Sequence, residues 1–336
     1  MTDYPQTAVS DAQHARDPPA VEKSFASLSP TVRAIAVDAV GPREHSVPVA
    51  LCALASATAT HHDSGIELSM TPLTDTSSSD RDQMPFLEDS EVEGLEHLID
   101  AVSLLEGYVR IRAELLTGDR YNDADQRDAA VLASDFLHAA AYEPIADIPI
   151  PDHRATELYR ILATGSGALA VQFMHAAPAK ERAVTAANSN AGTTPQTPAD
   201  ESTDTETTPA ATASGSLPPT AVLAGTAATL GATAVGASTE IRTTLETYAH
   251  SLTGALSVAS TGETGEDPRE TTVHVLAGET NVSHAVESEP CETTTTHLER
   301  AREACQTLED RLEATTECDA LHRLERATRI PFHANP

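Results

Sequence analysis

Carboxylates are abundant in this sequence, and five of them, in two stretches, bear on whether it could hold a metal ion. Asp100, Glu106 and Asp119 form one group, Glu263 and Glu266 another. Carboxylate oxygens are the ligands that Mg²⁺ takes. Their spacing argues against one shared ion: residues 100 and 106 on a helix point about 120° apart, whereas i, i+4 carboxylates share a face. The tripeptide His61-His62-Asp63 closes an apolar helical pattern and reads as a solvated helix terminus. Fourteen histidines are scattered without metal-ligand spacing. Cys52, Cys291, Cys305 and Cys318 are too far apart for a zinc knuckle or a CxxC pair, and read as thiols of a reducing cytosol. The sequence contains no GxSxG, HExxH, Walker A or dinucleotide fingerprint.

Two further polar residues stand beside apolar ones at helical spacing. Asp135 follows Val131 and Leu132 and precedes Ala139, and Gln172 lies beside Leu169 and Phe173. A carboxylate on a buried face is costly unless bonded or paired. Both are expected in a polar core network that fixes helix register, or as the relic of a ligand site. Gly225, Gly231 and Gly236 read as close helix packing, because no strand precedes them and no Lys follows.

The elements that must carry these residues are helices. The 336 residues suffice for one large domain or two small ones. Apolar residues recur at helical intervals, and β-branched alternation is sparse, so the class is all-α. Residues 1–20 are polar and expected to be loose. Helical pattern runs through Val32, Ile35, Ala36 and Ala39 to Gly41-Pro42, then from Val47 to Thr60. Residues 63–90 form a polar connection, followed by helices over about 91–116, 127–146 and 152–175. The stretch 184–216 is Thr/Ala/Pro/Ser-rich with acids and cannot offset its ordering entropy, so it is expected to be a disordered insertion. One domain thus spans 21–183 and 217–330. Its second part holds helices at 219–237 and 239–259, a polar loop at 261–270 and a less defined stretch at 271–287. A last helix runs from about 296 to 328, with Leu298, Ala301, Cys305, Leu308 and Leu312 in one stripe.

Charge narrows the function classes. Against 51 Asp and Glu stand 21 Lys and Arg, giving a formal charge of −30; Lys23 and Lys180 are the only lysines, and Trp is absent. This is the composition of a protein solvated in concentrated salt, where the Debye length shrinks to about 3 Å at 1 M and self-repulsion is screened. An extremely halophilic archaeon is the expected source. No cationic footprint is available for nucleic acid. No basic segment followed by an apolar one stands at the N-terminus, so no secretory signal is expected. The uncharged stretch Leu217–Ser238 is mostly Ala, Gly and Thr, and reads as a packed core helix rather than a membrane span. A cytoplasmic protein is expected.

Several segments together resemble one family. Leu245–Ser260 (LETYAHSLTGALSVAS) is similar to the LxxYGxxLGxAFQIxDD helix of the trans-isoprenyl diphosphate synthases, the polyprenyl synthetase family. Thr220-Ala221, Leu230-Gly231-Ala232 and Gly236-Ala237 resemble its KTA…LGA…GA helix. Asp128–Leu137 (DAAVLASDFL) is similar to AVLAGDxLL, and Leu98–Leu105 (LIDAVSLL) to ELIHTASLIHDD. Gln172 falls at the family's GQ, and the helix from His297 fits its final helices. These matches keep the family's order over roughly residues 30–330, outside 184–216.

The resemblance implies a bundle of mostly antiparallel helices around a central cavity, usually dimeric. It also implies a reaction joining isopentenyl diphosphate to an allylic diphosphate. There, two DDxxD motifs clamp Mg²⁺ on the departing diphosphate, and a GGKRxRP turn holds the second one. This chain departs from the pattern where the chemistry lies. The first metal motif falls on Gly107, Tyr108 and Ile111, the second on Ser260, Thr261 and Thr264. The AFQ before the second becomes Ala255-Leu256-Ser257. The basic turn, placed by Pro48, reads Glu44, His45 and Val47, and the KT pair becomes Pro219-Thr220. Asp135, Gln172 and Thr220 are the retained polar positions.

The expectation is therefore a non-catalytic member with no cofactor and no metal. It would act as partner or regulator of an active isoprenyl diphosphate synthase, as a homodimer or as a heterodimer with that enzyme. Two alternatives stand beside it: an active prenyltransferase with relocated ligands, which would need Mg²⁺, or a prenyl-chain binding protein.

Overall fold

The computed structural model describes residues 25–60, 94–190, 217–259, 267–279, 291–312, 319–330 and 332, with backbone alone over 176–190. Among these residues every regular element is helical, so the chain is all-α. In order they are α1 (Pro30–Val40), a 3-10 turn (Arg43–His45), α2 (Val47–Thr60), α3 (Leu95–Thr117), α4 (Ala124–Ala140) and the single turn α5 (Glu143–Ala146). Then follow α6 (Asp152–Asn190), α7 (Pro219–Ala234), α8 (Thr239–Ala259), α9 (Pro268–Leu276), α10 (Glu292–Arg311) and α11 (Asp319–Ala327).

The centre is built from two uncharged helices. Neither α2 nor α7 contains a charged residue, and nearly every side chain of each is buried. A helix that is apolar all round must be enclosed on all sides. The two pack on each other at Gly231, where a Cβ would overlap the backbone carbonyl of Cys52. Around this pair lie α3, α6, α8, α9 and α11. Enclosure explains the Leu217–Ser238 stretch as a core helix, and no described helix is long and apolar enough to cross a membrane. Burial pushes the Cys52 thiol up to about 12, as it does that of Cys305, whereas Cys291 is exposed.

Glycine sets the ends of three helices. Gly41, Gly236 and Gly278 follow α1, α7 and α9 with φ of 59°, 84° and 93°, a region that carries a Cβ penalty for other residues. Starts are set by side-chain caps: Asp123 accepts from the amides of Asp125 and Gln126, and Asp267 from that of Arg269.

Several boundaries differ from the sequence expectation. The pattern read as one helix over 296–328 is two, α10 and α11, although Leu298, Ala301, Cys305 and Leu308 are buried as one stripe. Residues 268–270, read as loop, open α9, because Asp267-Pro268 supplies a cap followed by a first-turn proline. Helix α6 continues to Asn190, into the start of the stretch expected to be disordered. The expectations for residues 1–20, 63–90 and 191–216 lie outside the described residues.

Candidate functional site

The positions expected to be a degenerate first metal motif lie in the middle of α3 and are used for packing. A Cβ on Gly107 would stand 3.0 Å from Leu137 Cδ1 and 3.3 Å from Val40 Cγ2, so this glycine lets α3 approach both α4 and α1. Tyr108 is buried within an aromatic cluster. Its ring centroid is 4.9 Å from that of His138 and 5.8 Å, edge-on, from Phe173. His138 meets Tyr142 edge-on at 5.8 Å, Tyr142 stacks on Tyr159 at 6.4 Å, and its hydroxyl lies 3.3 Å from Ser166 Oγ. Arg112, one turn after Tyr108, lies over the same ring and pairs with Asp135. Burial raises the Tyr108 phenol above its ordinary range and lowers the His138 imidazole below its own. Ile111 is fully enclosed.

Next to Gly107, from Asp100 to Arg110, runs a polar corner where α3 meets the 3-10 turn, the start of α2 and α9. Glu106 is largely buried. It accepts from Ser46 Oγ at 2.5 Å and from Arg110 at 3.3 Å, while Ser46 Oγ also accepts from the Val49 amide and so caps α2. Burial raises the Glu106 carboxyl, opposed by Ser46, Arg110 and Arg269. Asp100 pairs with Arg43 of the 3-10 turn, and burial raises it too against the pull of Arg43 and His97. Asp119 is exposed. The two carboxylates thus have separate cationic partners, as their helical spacing implied. Among the described residues no three His, Cys, Asp or Glu side chains converge in metal-binding geometry.

Asp135 is a correction. It is 59 % exposed on its side chain and paired with Arg112 rather than set in a core network. The buried stripe of α4 is Ala129, Ala130, Ala133, Ser134 and Leu137, with Leu132 60 % exposed. Small residues face inward because α3 and α1 approach closely there, and the larger Val131 and Leu132 misplace the buried face. Gln172 is half-buried next to buried Phe173, and has an interaction partner.

Thr220 is half-buried, and its Oγ1 lies 3.3 Å from Ser257 Oγ. Thr220 and Ser257, which the sequence resemblance sets at the KT pair and at the Q of AFQ, thus lie side by side. Ser260, Thr261, Thr264, Glu263, Glu266 and the His61-His62-Asp63 tripeptide lie outside the described residues.

Sequence reasoning missed Arg43 and Ser46. The resemblance puts the basic turn at Glu44, His45 and Val47, but the side chains that reach α3 are Arg43, just before it, and Ser46, between His45 and Val47. No local signal marks Arg43–Asp100, which are far apart in the chain. Glu106–Arg110, an i, i+4 pair, is the one contact of this corner visible in the sequence.

No protein-family model matches the chain, and no curated protein matches it. Among solved structures it is similar to a geranylgeranyl pyrophosphate synthetase from Pyrococcus horikoshii Ot3. That likeness has a TM-score of 0.48 at 11 % sequence identity and covers 94 % of this chain and 94 % of that one.

Proposed function

We propose that this chain is a non-catalytic, polyprenyl-synthetase-like helical protein of a halophilic archaeon, acting in the cytoplasm as partner or regulator of an active isoprenyl diphosphate synthase. The observation that carries this reading is how Gly107, Tyr108 and Ile111 are used. Where the resemblance places a metal clamp, this chain has a glycine that admits two neighbouring helices, a tyrosine inside an aromatic cluster and an enclosed isoleucine. Carboxylates at these positions would face hydrocarbon and ring edges, where an unpaired charge costs several kcal/mol or forces protonation, on the order of the burial penalties known for such groups. The acids around these positions, Asp100, Glu106 and Asp135, already have arginine or serine partners. The ordered run of family-like helix motifs supports the polyprenyl-synthetase-like fold in this reading, since those motifs are packing positions.

The test is capture of the tagged full chain in molar KCl from its own cells, with bound proteins identified by mass spectrometry. A stoichiometric partner carrying both DDxxD motifs is the expected result. Absence of any such synthase overturns the partnership. Product formation by the purified chain from isopentenyl diphosphate, an allylic diphosphate and Mg²⁺ overturns the non-catalytic role.

A further inference from the structure

The wall formed by α7, α8 and α10 is joined by two contacts of one kind. His250 of α8 lies on Gly225 of α7, so closely that a Cβ there would overlap the imidazole. One turn further along α8, Gly254 receives His297 of α10, and a Cβ at Gly254 would stand 2.8 Å from the ring's Cε1 and 2.9 Å from Nδ1. Each ring fills a notch that only glycine leaves. Both imidazoles are half-buried.

We propose that His250 and His297 form an acid-released latch that holds α7, α8 and α10 together while both rings are neutral. The surroundings explain why a proton would open it. Helix α7 has no charged or titratable side chain and can offer no counter-charge to a protonated His250. Helix α2 brings only Cys52, which faces Gly231. On α8 itself Glu246 stands one turn before His250 and is held toward its neutral form by burial. Of the α9 groups, Arg269 acts on Glu106 and His274 bonds Glu279, while Glu270 is exposed. On α10 the charge acting on His297 is that of Arg300, which opposes protonation. On α11, which packs on α10, Asp319 pairs with Arg323 and Glu325 with Arg329, Arg326 donates to the Glu279 carbonyl, and His322 is exposed.

Burial lowers both histidines from their ordinary range. A histidine depressed on folding gives its full stabilisation above its unfolded pKa of about 6.5 and loses it as pH falls through the folded value. The latch is therefore closed near neutrality and weakens on acidification. This inference is independent of the proposed partnership.

The experiment is amide hydrogen exchange of the full chain in molar KCl at about pH 7.5 and 5.5, corrected for intrinsic rates, together with NMR titration of the histidine ring protons. Amides of α7, α8 and α10 are expected to exchange at least about tenfold faster at the lower pH, the equivalent of one pKa unit of linkage. In the His250→Phe/His297→Phe variant, which keeps a neutral ring in each notch, that acceleration is lost. His153→Phe, at an exposed position, leaves it unchanged. Equal exchange at both pH values, or an undiminished response in the double variant, overturns the latch. If the double variant does not fold, the titration decides: His250 and His297 remaining neutral at pH 6 supports the latch, and normal titration overturns it.

Discussion

Arg110 lies over Gly41. Its guanidinium donates to the carbonyl oxygen of Ala39 at 2.8 Å, and a Cβ on Gly41 would stand 2.7 Å from Nη1. The arrangement recurs. Arg154 of α6 covers Gly236 and donates to Ala234 at 3.1 Å, and Arg323 of α11 covers Gly278 and reaches the Ala277 carbonyl at 3.5 Å. Each of these helices ends on a left-handed glycine beneath an arginine from elsewhere in the fold. The arginine satisfies a carbonyl that the helix leaves open. A planar guanidinium can lie flat on the glycine while it donates, which a lysine ammonium cannot do. That is a structural reason for arginine at these three sites, independent of whatever sets the scarcity of lysine overall.

Replacing Arg110 by Lys is therefore expected to destabilise the fold by about 1 kcal/mol through the lost hydrogen bond. Gly41→Ala should cost about 1–3 kcal/mol through φ strain and the displaced guanidinium. The two effects share one contact, so the double variant is expected to lose less than their sum. Urea midpoints of the four chains form the double-mutant cycle that measures this.

Much of the fold was legible because its signals are local. Gly41-Pro42 stops α1, the charge-free runs at 47–60 and 219–234 become the two central helices, and the stripe on α10 is buried as its spacing requires. What was not legible depends on contacts distant in sequence. The orientation of α4 is decided by its packing on α3 and α1, with Leu137 against Gly107, which turns its alanines inward and leaves Asp135 outside. Arg43 becomes a site residue only because Asp100 lies opposite on α3. Neither fact leaves a periodic trace near Asp135 or Arg43.

Glu106 is a buried carboxylate whose pKa burial raises. A carboxyl raised on folding is at its most favourable below its unfolded pKa of about 4.3, and the folded state loses stability as pH climbs through the raised value. Glu106→Gln keeps the size and an acceptor for Ser46 but removes the charge. The variant is expected to melt at a higher temperature than the parent at pH 7, with the difference narrowing toward pH 4. A lower melting temperature at pH 7 would mean that Arg110 and Arg269 outweigh desolvation at this site.

Restoring an acid at the first motif should harm the protein rather than endow it with metal affinity. Tyr108→Asp removes a ring that touches His138 and Phe173 and puts a carboxylate in its place. Loss of a buried aromatic costs about 3–5 kcal/mol, and the new charge adds desolvation cost. Arg112 gains a possible partner but is already engaged by Asp135. The expected outcome is a large fall in thermal midpoint that Mg²⁺ does not restore. Recovery of that midpoint with millimolar Mg²⁺, measured by scanning calorimetry, would show that position 108 can reach an ion.

Two helical glycines should respond in opposite directions to the same substitution. Gly231 is where α7 meets α2, and a Cβ there would overlap the carbonyl oxygen of Cys52, a backbone atom with no freedom to turn away. Separating two central helices disturbs packing on every side of them, so Gly231→Ala is expected to cost about 3 kcal/mol or more, at the upper end of overpacking. Gly167 lies inside α6 with nothing within 4 Å of the corresponding position. There the alanine meets no neighbour and restricts the unfolded chain, so Gly167→Ala should stabilise by about 0.5–1 kcal/mol. Intrinsic helix propensity would favour alanine at both sites. A destabilised Gly231→Ala beside a stabilised Gly167→Ala, read from denaturant midpoints under one salt condition, would place the difference in the α2–α7 contact. If both variants were stabilised, the two uncharged helices would not approach as closely as Gly231 and Cys52 indicate.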